Sequence, residues 1–261
     1  MEDDRLAKSH CVVTGGANGI GRGVALRIAR AGGAVSIFDV DDASDTVNEL
    51  SDAGVEAGSY DVDVTSRSAI EAAVADAADR RGAISGLVNS AGVQTKRPFL
   101  ETTDDELDRQ LDVNVRGTFL SSQVVASHMI ERGTAGAIVN VGSLAGAGSP
   151  NPGQAAYAAS KGAVDSLTIV LSMELAEHDI RCNVVHPGAT DTQMLARFAD
   201  RSDESAEEQT IGGEELVDRH LVGRIGEPED IGHLCVLLLS REGEWITGQD
   251  FVVDGGVSHA E

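Results

Sequence analysis

A tyrosine and a lysine stand four residues apart in Tyr157-Ala158-Ala159-Ser160-Lys161, within an alanine-rich stretch whose pattern predicts a helix over about 155–176. Residues i and i+4 of a helix share one face, so this spacing sets an ammonium beside a phenol. A free phenol, with a pKa of about 10, is a poor acid or base at neutral pH. A neighbouring cation favours the phenolate and is expected to bring that pKa down toward working pH. Fourteen residues before Tyr157, Ser143 follows the apolar run Ala137-Ile138-Val139-Asn140-Val141-Gly142, which predicts a buried strand. Its hydroxyl would emerge at the strand's carboxyl end, where open α/β sheets place ligands. A hydroxyl donor, a tunable phenol and a lysine suit proton transfer to or from an alcohol or carbonyl oxygen. A Tyr-x-x-x-Lys spacing, or a serine at a strand end, carries little by itself. Their order after a glycine-rich start makes them informative.

That start is Val12-Val13-Thr14-Gly15-Gly16-Ala17-Asn18-Gly19-Ile20-Gly21. The run His10-Cys11-Val12-Val13 predicts a first strand, and helical periodicity begins near Ile20, with Val24, Leu26, Ile28 and Ala29 on its buried side. A glycine-rich turn there lets the backbone approach a diphosphate, and the helix amino terminus offers free N–H groups and partial positive charge. The spacing is Gly-x-x-x-Gly-x-Gly (Gly15, Gly19, Gly21) rather than Gly-x-Gly-x-x-Gly. In a chain with 30 glycines, such a turn alone could be an ordinary loop.

The elements that must position these residues follow in β-α alternation. Strands are predicted at 35–39, 58–64, 85–89, 137–142, 180–186 and 250–254, with helices at 70–79 and 104–130 among those between them. Continuous apolar runs are what a parallel sheet covered on both faces requires. The expected architecture is α/β: residues 1–261 as a single domain, a doubly wound parallel sheet of about seven strands with helices on both faces. The segment 193–222 is polar and acidic, with Asp200-Arg201-Ser202-Asp203-Glu204 and Ala206-Glu207-Glu208-Gln209. It is expected either as a solvated insertion or as a lid over the site.

The charged start, Met1-Glu2-Asp3-Asp4-Arg5, lacks a signal-peptide core, and no run of about 18 apolar residues suggests a membrane span. The expected location is cytoplasmic. Cys11, Cys182 and Cys235 fall in separate apolar runs and read as buried small hydrophobes. The seven histidines show no ligand spacing, so no metal is expected. Net charge is -23, from 43 acidic and 20 basic residues, and only Lys8, Lys96 and Lys161 are lysines. Such a surface repels nucleic acid and anionic membrane. Two explanations stand: an ordinary acidic enzyme from a high-arginine genome, or adaptation to high salt, where screening relieves self-repulsion.

Taken together, Thr14 with its Gly15-Gly19-Gly21 turn, Asn89-Ser90-Ala91-Gly92, Asn114, Ser143, Tyr157-x-x-x-Lys161, Pro187-Gly188 and Asp254-Gly255-Gly256 form an ordered series. It resembles the short-chain dehydrogenase/reductase family from about residue 8 to 256. The resemblance implies a Rossmann-type fold, a nicotinamide cofactor and hydride transfer at a carbon–oxygen bond. It implies Tyr157 as acid or base, Ser143 on the substrate oxygen, Lys161 on the phenol and nicotinamide ribose, and Asn114 as anchor of a water leading from the lysine to solvent. For the cofactor it implies Asn18 in the glycine turn, Ile20 at the diphosphate, Asp63 and Val64 at the adenine, and Asn89, Ala91 and Gly92 along the groove. The segment Pro187-Gly188-Ala189-Thr190-Asp191-Thr192 would hold the nicotinamide amide. Thr190 stands where valine or isoleucine is commoner.

Asp39 lies 24 residues after Gly15, at a predicted strand end. An acid there accepts bonds from the adenosine ribose hydroxyls and repels the extra phosphate of NADP. NAD is therefore the expected cofactor. Substrate contacts are expected from Gln94, Leu144, Asn151, Gln154 and the segment after Thr192, none of which names the alcohol. The leading expectation is an NAD-dependent oxidoreductase of a sugar, sugar acid, polyol or cyclic alcohol. The rivals are a 3-oxoacyl-carrier-protein reductase and a non-catalytic nucleotide sensor. Small side chains at Ala155, Ala159, Gly162, Ala163 and Ser166, with the family resemblance, lead to an expected homotetramer, with a dimer as the alternative.

Overall fold

The computed structural model describes residues 4–195 and 217–260. Seven parallel strands form one sheet: β1 His10–Thr14, β2 Ala34–Asp39, β3 Ala57–Asp61, β4 Gly86–Asn89, β5 Gly136–Val141, β6 Ile180–Pro187 and β7 Asp250–Val253. Their order is β3-β2-β1-β4-β5-β6-β7. The chain winds outward one way from β1 to β3, then returns and winds the other way from β4 to β7. The reversal opens a crevice beside the carboxyl ends of β1 and β4.

Alternate strand residues face opposite helix layers. Val13, Val35, Ile37, Val88, Val139 and Val185 pack with α1 (Gly19–Arg30) and the helix Pro228–Leu239 through Val24, Ile28, Cys235 and Val236. Val12, Phe38, Leu87, Ile138 and Cys182 pack with Ile70 and Val74 of the helix Arg67–Arg81 and with Val125 and Met129 of the helix Thr118–Arg132. Helices cover both faces of the central strands, which is why β1, β4 and β5 are almost wholly buried. Numbered in chain order among the described residues, the helices given bounds are α1, α2 (Ser44–Asp52), α3 (Arg67–Arg81), α4 (Asp104–Leu111), α5 (Thr118–Arg132), α6 (Ala155–Glu174) and α7 (Pro228–Leu239). The three cysteines are free and buried, and burial pushes their thiols up to about 12. Among the described residues there is no cluster of metal-ligating side chains, and no helix long and apolar enough to cross a membrane.

Two elements differ from the sequence expectation. The helix expected over 104–130 is divided: a π-helical turn, Asp112–Gly117, joins α4 to α5. A Thr103–Glu106 capping box starts α4. The third strand ends at Asp61 rather than at 64. Val62 still donates to Asp39 O at 2.9 Å, but Asp63 Oδ1 then accepts from Thr65 N at 2.9 Å and turns the chain toward α3. Of the segment expected as a lid, residues 196–216 lie outside the described residues.

Candidate active site

The glycine turn after β1 is shaped by close backbone approach. A Cβ on Gly21 would lie 2.1 Å from Gly15 O, and one on Gly15, whose φ is +69°, would lie 2.7 Å from Ala91 Cα. Only glycine fits either position. Thr14 Oγ1 accepts from both Ser90 N and Ala91 N at 3.1 Å, which fastens the turn after β4 to the turn after β1. The first turn of α1 carries no acidic residue, and Asn18 makes no side-chain cap bond to it. Its N–H groups therefore remain available to an anion. Asn18 Oδ1 instead accepts from Gln193 Nε2 at 3.3 Å, and a Cβ on Gly19 would lie 3.3 Å from Thr192 Cγ2. Ile20 anchors the helix start against the core. This backbone cradle fits a dinucleotide's diphosphate, with the segment after Pro187-Gly188 facing it.

Asp39 ends β2. Its Oδ2 accepts from Ala17 N at 2.9 Å and its Oδ1 from Asp41 N at 3.0 Å, so the carboxylate also shapes the glycine turn. Asp63 serves the turn already described, and Val64 is buried against Gly117, where a Cβ would come within 2.6 Å of Val64 Cγ2. Asn89 is buried, and its Nδ2 donates to Ser122 Oγ at 2.9 Å and Asn140 Oδ1 at 2.8 Å, toward the helix layer. Gly188 abuts Asp254, to whose Cα an added Cβ would come within 2.7 Å. Thr190 is buried, bridges to Gly226 and donates to Gly188 O at 3.1 Å. Thr192 Oγ1 accepts from Leu195 N at 3.2 Å.

Ser143, Tyr157, Lys161 and Asn114 come together where β5 meets α6 and the π turn. Tyr157 and Lys161 are both buried, and Lys161 Nζ sits 5.9 Å from the Tyr157 ring centroid. The phenol departs from expectation: its pKa is raised, not lowered. Burial drives it up and outweighs the hydrogen bond from Ser143, which pulls it down. No ammonium offsets this where the phenol titrates, because burial lowers Lys161 to about 8; its Nζ donates to Val141 O at 2.7 Å.

Asn114 is fully buried in the π turn. Its Oδ1 accepts from Val93 N at 2.8 Å, and its Nδ2 donates to Val93 O and Ser160 Oγ, both at 2.9 Å. It clamps the segment after Gly92 to α6. A Cβ on Gly92 would lie 3.3 Å from Asn114 Oδ1 and 3.6 Å from Lys161 Nζ, so this segment runs directly over the lysine. Farther along, Arg97 N donates to Gly153 O at 2.9 Å, and Gln154 Oε1 accepts from Asn151 N at 2.8 Å. Gln94 and Leu144 are half-buried, whereas Asn151 is exposed. Sequence reasoning missed Ser160 as the partner of Asn114, and also His186, which packs on the Ser143 backbone. Both adjoin motif residues, Lys161 and Pro187, and that adjacency was the available signal.

A family model described as Enoyl-(Acyl carrier protein) reductase matches residues 15–258. The chain is 36% identical over 258 residues to 2-(S)-hydroxypropyl-CoM dehydrogenase 3 of Xanthobacter autotrophicus, covering 98% of each. It is 33% identical over 255 residues to the 3-oxoacyl-[acyl-carrier-protein] reductase FabG of Thermotoga maritima, covering 97% of this chain and 99% of that one. The crystal structure of a short-chain type dehydrogenase/reductase from Mycobacterium marinum superposes with a TM-score of 0.89 at 30% identity, covering 98% of each chain. With the motif series seated on a Rossmann-like sheet, the chain belongs to the short-chain dehydrogenase/reductase family of nicotinamide-dependent oxidoreductases.

Proposed function

We propose that the protein is an NAD-dependent dehydrogenase of a secondary alcohol, or a reductase of the matching ketone. The observation that carries this reading is the buried Tyr157 phenol, hydrogen-bonded to Ser143 and flanked by Lys161. Ser143 holds the substrate oxygen and stabilises charge developing on it. In oxidation the Tyr157 phenolate takes the alcohol proton and becomes the phenol; in reduction the phenol gives that proton to the carbonyl oxygen and becomes the phenolate. Lys161 holds the cofactor ribose, and Asn114 keeps the lysine's surroundings in register. The bound nicotinamide supplies the carbon that takes up or gives the hydride. Gly15, Gly19, Ile20 and Gly21 hold the diphosphate, and the segment from Pro187 to Thr192 holds the nicotinamide amide. Burial of the phenol keeps bulk water from the reacting oxygen.

Asp39 supports NAD over NADP. Two of its lone-pair positions are taken by backbone N–H groups, and a carboxylate has about four, so two remain for ribose hydroxyls. A 2′-phosphate at the same place would meet negative charge. The relative from Xanthobacter acts, by its name, on a 2-hydroxypropyl group, a secondary alcohol. The substrate class we favour is a sugar, sugar acid, polyol or cyclic alcohol.

The FabG relative supports a second reading, reduction of a 3-oxoacyl group on a carrier protein. Acyl carriers are acidic, and a net charge of -23 opposes their approach. A screen of NAD and NADP reduction over sugars, polyols, hydroxy acids and cyclic alcohols, at several salt concentrations, tests the first reading. Turnover confined to carrier-bound 3-oxoacyl substrates would transfer support to the second. The assembly we propose is a homotetramer.

A further inference from the structure

Two ionisable side chains beside the site have no part in the chemistry above: buried His186 in β6 and half-buried Asp165 in α6. His186 is 1% exposed. Its Nδ1 lies 3.2 Å from Ser143 N and 3.1 Å from Ser143 O. Its Nε2 lies 3.7 Å from Asp165 Oδ1, which is buried and has no hydrogen-bond partner among the described residues. Asp165 follows Tyr157 and Lys161 at the next i+4 step, so α6 presents all three on one face. The ring fits against the serine only because residue 142 is glycine. A Cβ on Gly142 would lie 2.5 Å from His186 Nδ1.

A neutral imidazole carries one proton, on Nδ1 or Nε2. With the proton on Nε2, the ring points an N–H at the carboxylate, and bare Nδ1 accepts from Ser143 N–H. With the proton on Nδ1, the ring donates to Ser143 O instead, but a lone pair then faces the carboxylate and the half-buried Ser143 N–H loses its acceptor. At 3.7 Å the carboxylate contact is electrostatic rather than a hydrogen bond, but it still favours the first tautomer. We propose that His186 and Asp165 form a positioning pair for Ser143: Asp165 holds the imidazole proton on Nε2, and Nδ1 then fixes the Ser143 backbone so that its hydroxyl meets Tyr157. The other charged groups facing Asp165 are Lys161, its neighbour on α6, and Asp250 at the start of β7. Burial and Asp250 raise the Asp165 carboxyl, while His186 and Lys161 lower it. The pair is the outer support of a hydroxyl that touches the reacting oxygen, and it rests on the reading of Ser143 and Tyr157 as the acid–base pair.

The test needs neither substrate nor cofactor. The chain has two tyrosines, Tyr60 and Tyr157, so 13Cζ-tyrosine NMR with Tyr60→Phe for assignment follows the Tyr157 titration alone. 15N spectra of labelled histidine report the His186 tautomer in the unmodified protein. The expected tautomer is Nε2–H. Ser143→Ala is expected to raise the Tyr157 pKa by about 1 unit or more, the size of one lost hydrogen bond to the phenolate. Asp165→Leu should raise it comparably, Asp165→Asn should raise it less because its amide oxygen can still accept from Nε2, and Asp165→Leu added to Ser143→Ala should add nothing. An Nδ1–H tautomer in the unmodified protein overturns the proposal even if no variant folds. An additive shift in the double variant, or no shift in Asp165→Leu when Ser143→Ala shifts, overturns the pair and leaves the acid–base reading intact. No shift in Ser143→Ala overturns that reading, and the pair with it.

Discussion

Lys161 Nζ donates to Val141 O at 2.7 Å, tying α6 to the last residue of β5, two residues before Ser143. The ammonium is thus placed by the strand that delivers the serine. Burial lowers it to about 8 in the folded chain, against about 10.4 unfolded. The sign follows directly. As pH rises through about 8, the free protein loses this charge. If the ammonium holds the ribose, NADH affinity weakens above that pH, whereas Lys161→Met binds weakly and without this break. Fluorescence titration of NADH from pH 6.5 to 9.5 checks it, and a pH-independent affinity in the unmodified protein would remove Lys161 from cofactor binding.

The same lysine bears on stability. Between about 8 and the unfolded value, the unfolded chain holds a proton that the folded chain has released, so this group's contribution makes folding more favourable as pH rises through that window. Below about 8 both states are protonated, and the buried charge is a constant penalty. Chemical denaturation at pH 7.5 and pH 9.5, compared between the unmodified protein and Lys161→Met, isolates the effect. The stability difference between the two proteins should shift in favour of the unmodified one at the higher pH.

Tyr157→Phe deletes the proton carrier and little else, because the ring packing is kept. Turnover should fall on the order of 10²- to 10⁴-fold while NADH binding stays within a few-fold. Steady-state rates beside a binding titration separate the two. Near-normal turnover by the variant would end the proposed mechanism.

Asp39 holds Ala17 N at 2.9 Å and carries the charge that should reject a 2′-phosphate. The kcat/KM for NAD should exceed that for NADP, and Asp39→Ala should narrow the gap. A charged hydrogen bond with avoided repulsion is worth roughly 2–4 kcal/mol, on the order of 30- to 1000-fold. Because Ala17 also loses its acceptor, activity with NAD should drop as well. Equal use of both cofactors by the unmodified protein would refute the assignment.

Met173, Ile169 and Val170 on α6 and Phe119 on α5 are exposed at 73%, 47%, 47% and 46%. Large apolar side chains exposed on these two helices suit a twofold contact in which one patch serves both partners. Light scattering in molar salt should report a homotetramer, which loosens as salt is withdrawn and the -23 charge per chain goes unscreened. A fully active particle of 27.1 kDa would overturn the assembly.

Whatever depends on local pattern was legible in the chain alone. Most of the strands are short apolar runs ended by turn residues, and six of the seven began and ended within a residue or two of their predicted places. The i+4 spacing placed Tyr157 and Lys161 on one face because helical geometry is the same in any context. The glycine positions foretold a tight turn, and Gly15 and Gly21 meet backbone closely enough to need it. Tertiary structure decided whatever depends on partners distant in sequence. The direction of the Tyr157 pKa follows from burial, which no i+4 spacing encodes. The π turn at Asp112–Gly117 accompanies the clamp of Asn114 on Val93 and Ser160, and helical periodicity alone predicts unbroken helix there. The meeting of Ser143, His186 and Asp165 joins the end of β5, β6 and α6, elements that come together only once the sheet has formed. Sequence reports the conformations a segment prefers and the chemistry it can offer. Packing sets which groups lose water and which partners they find, and desolvation and hydrogen bonding then fix how that chemistry behaves.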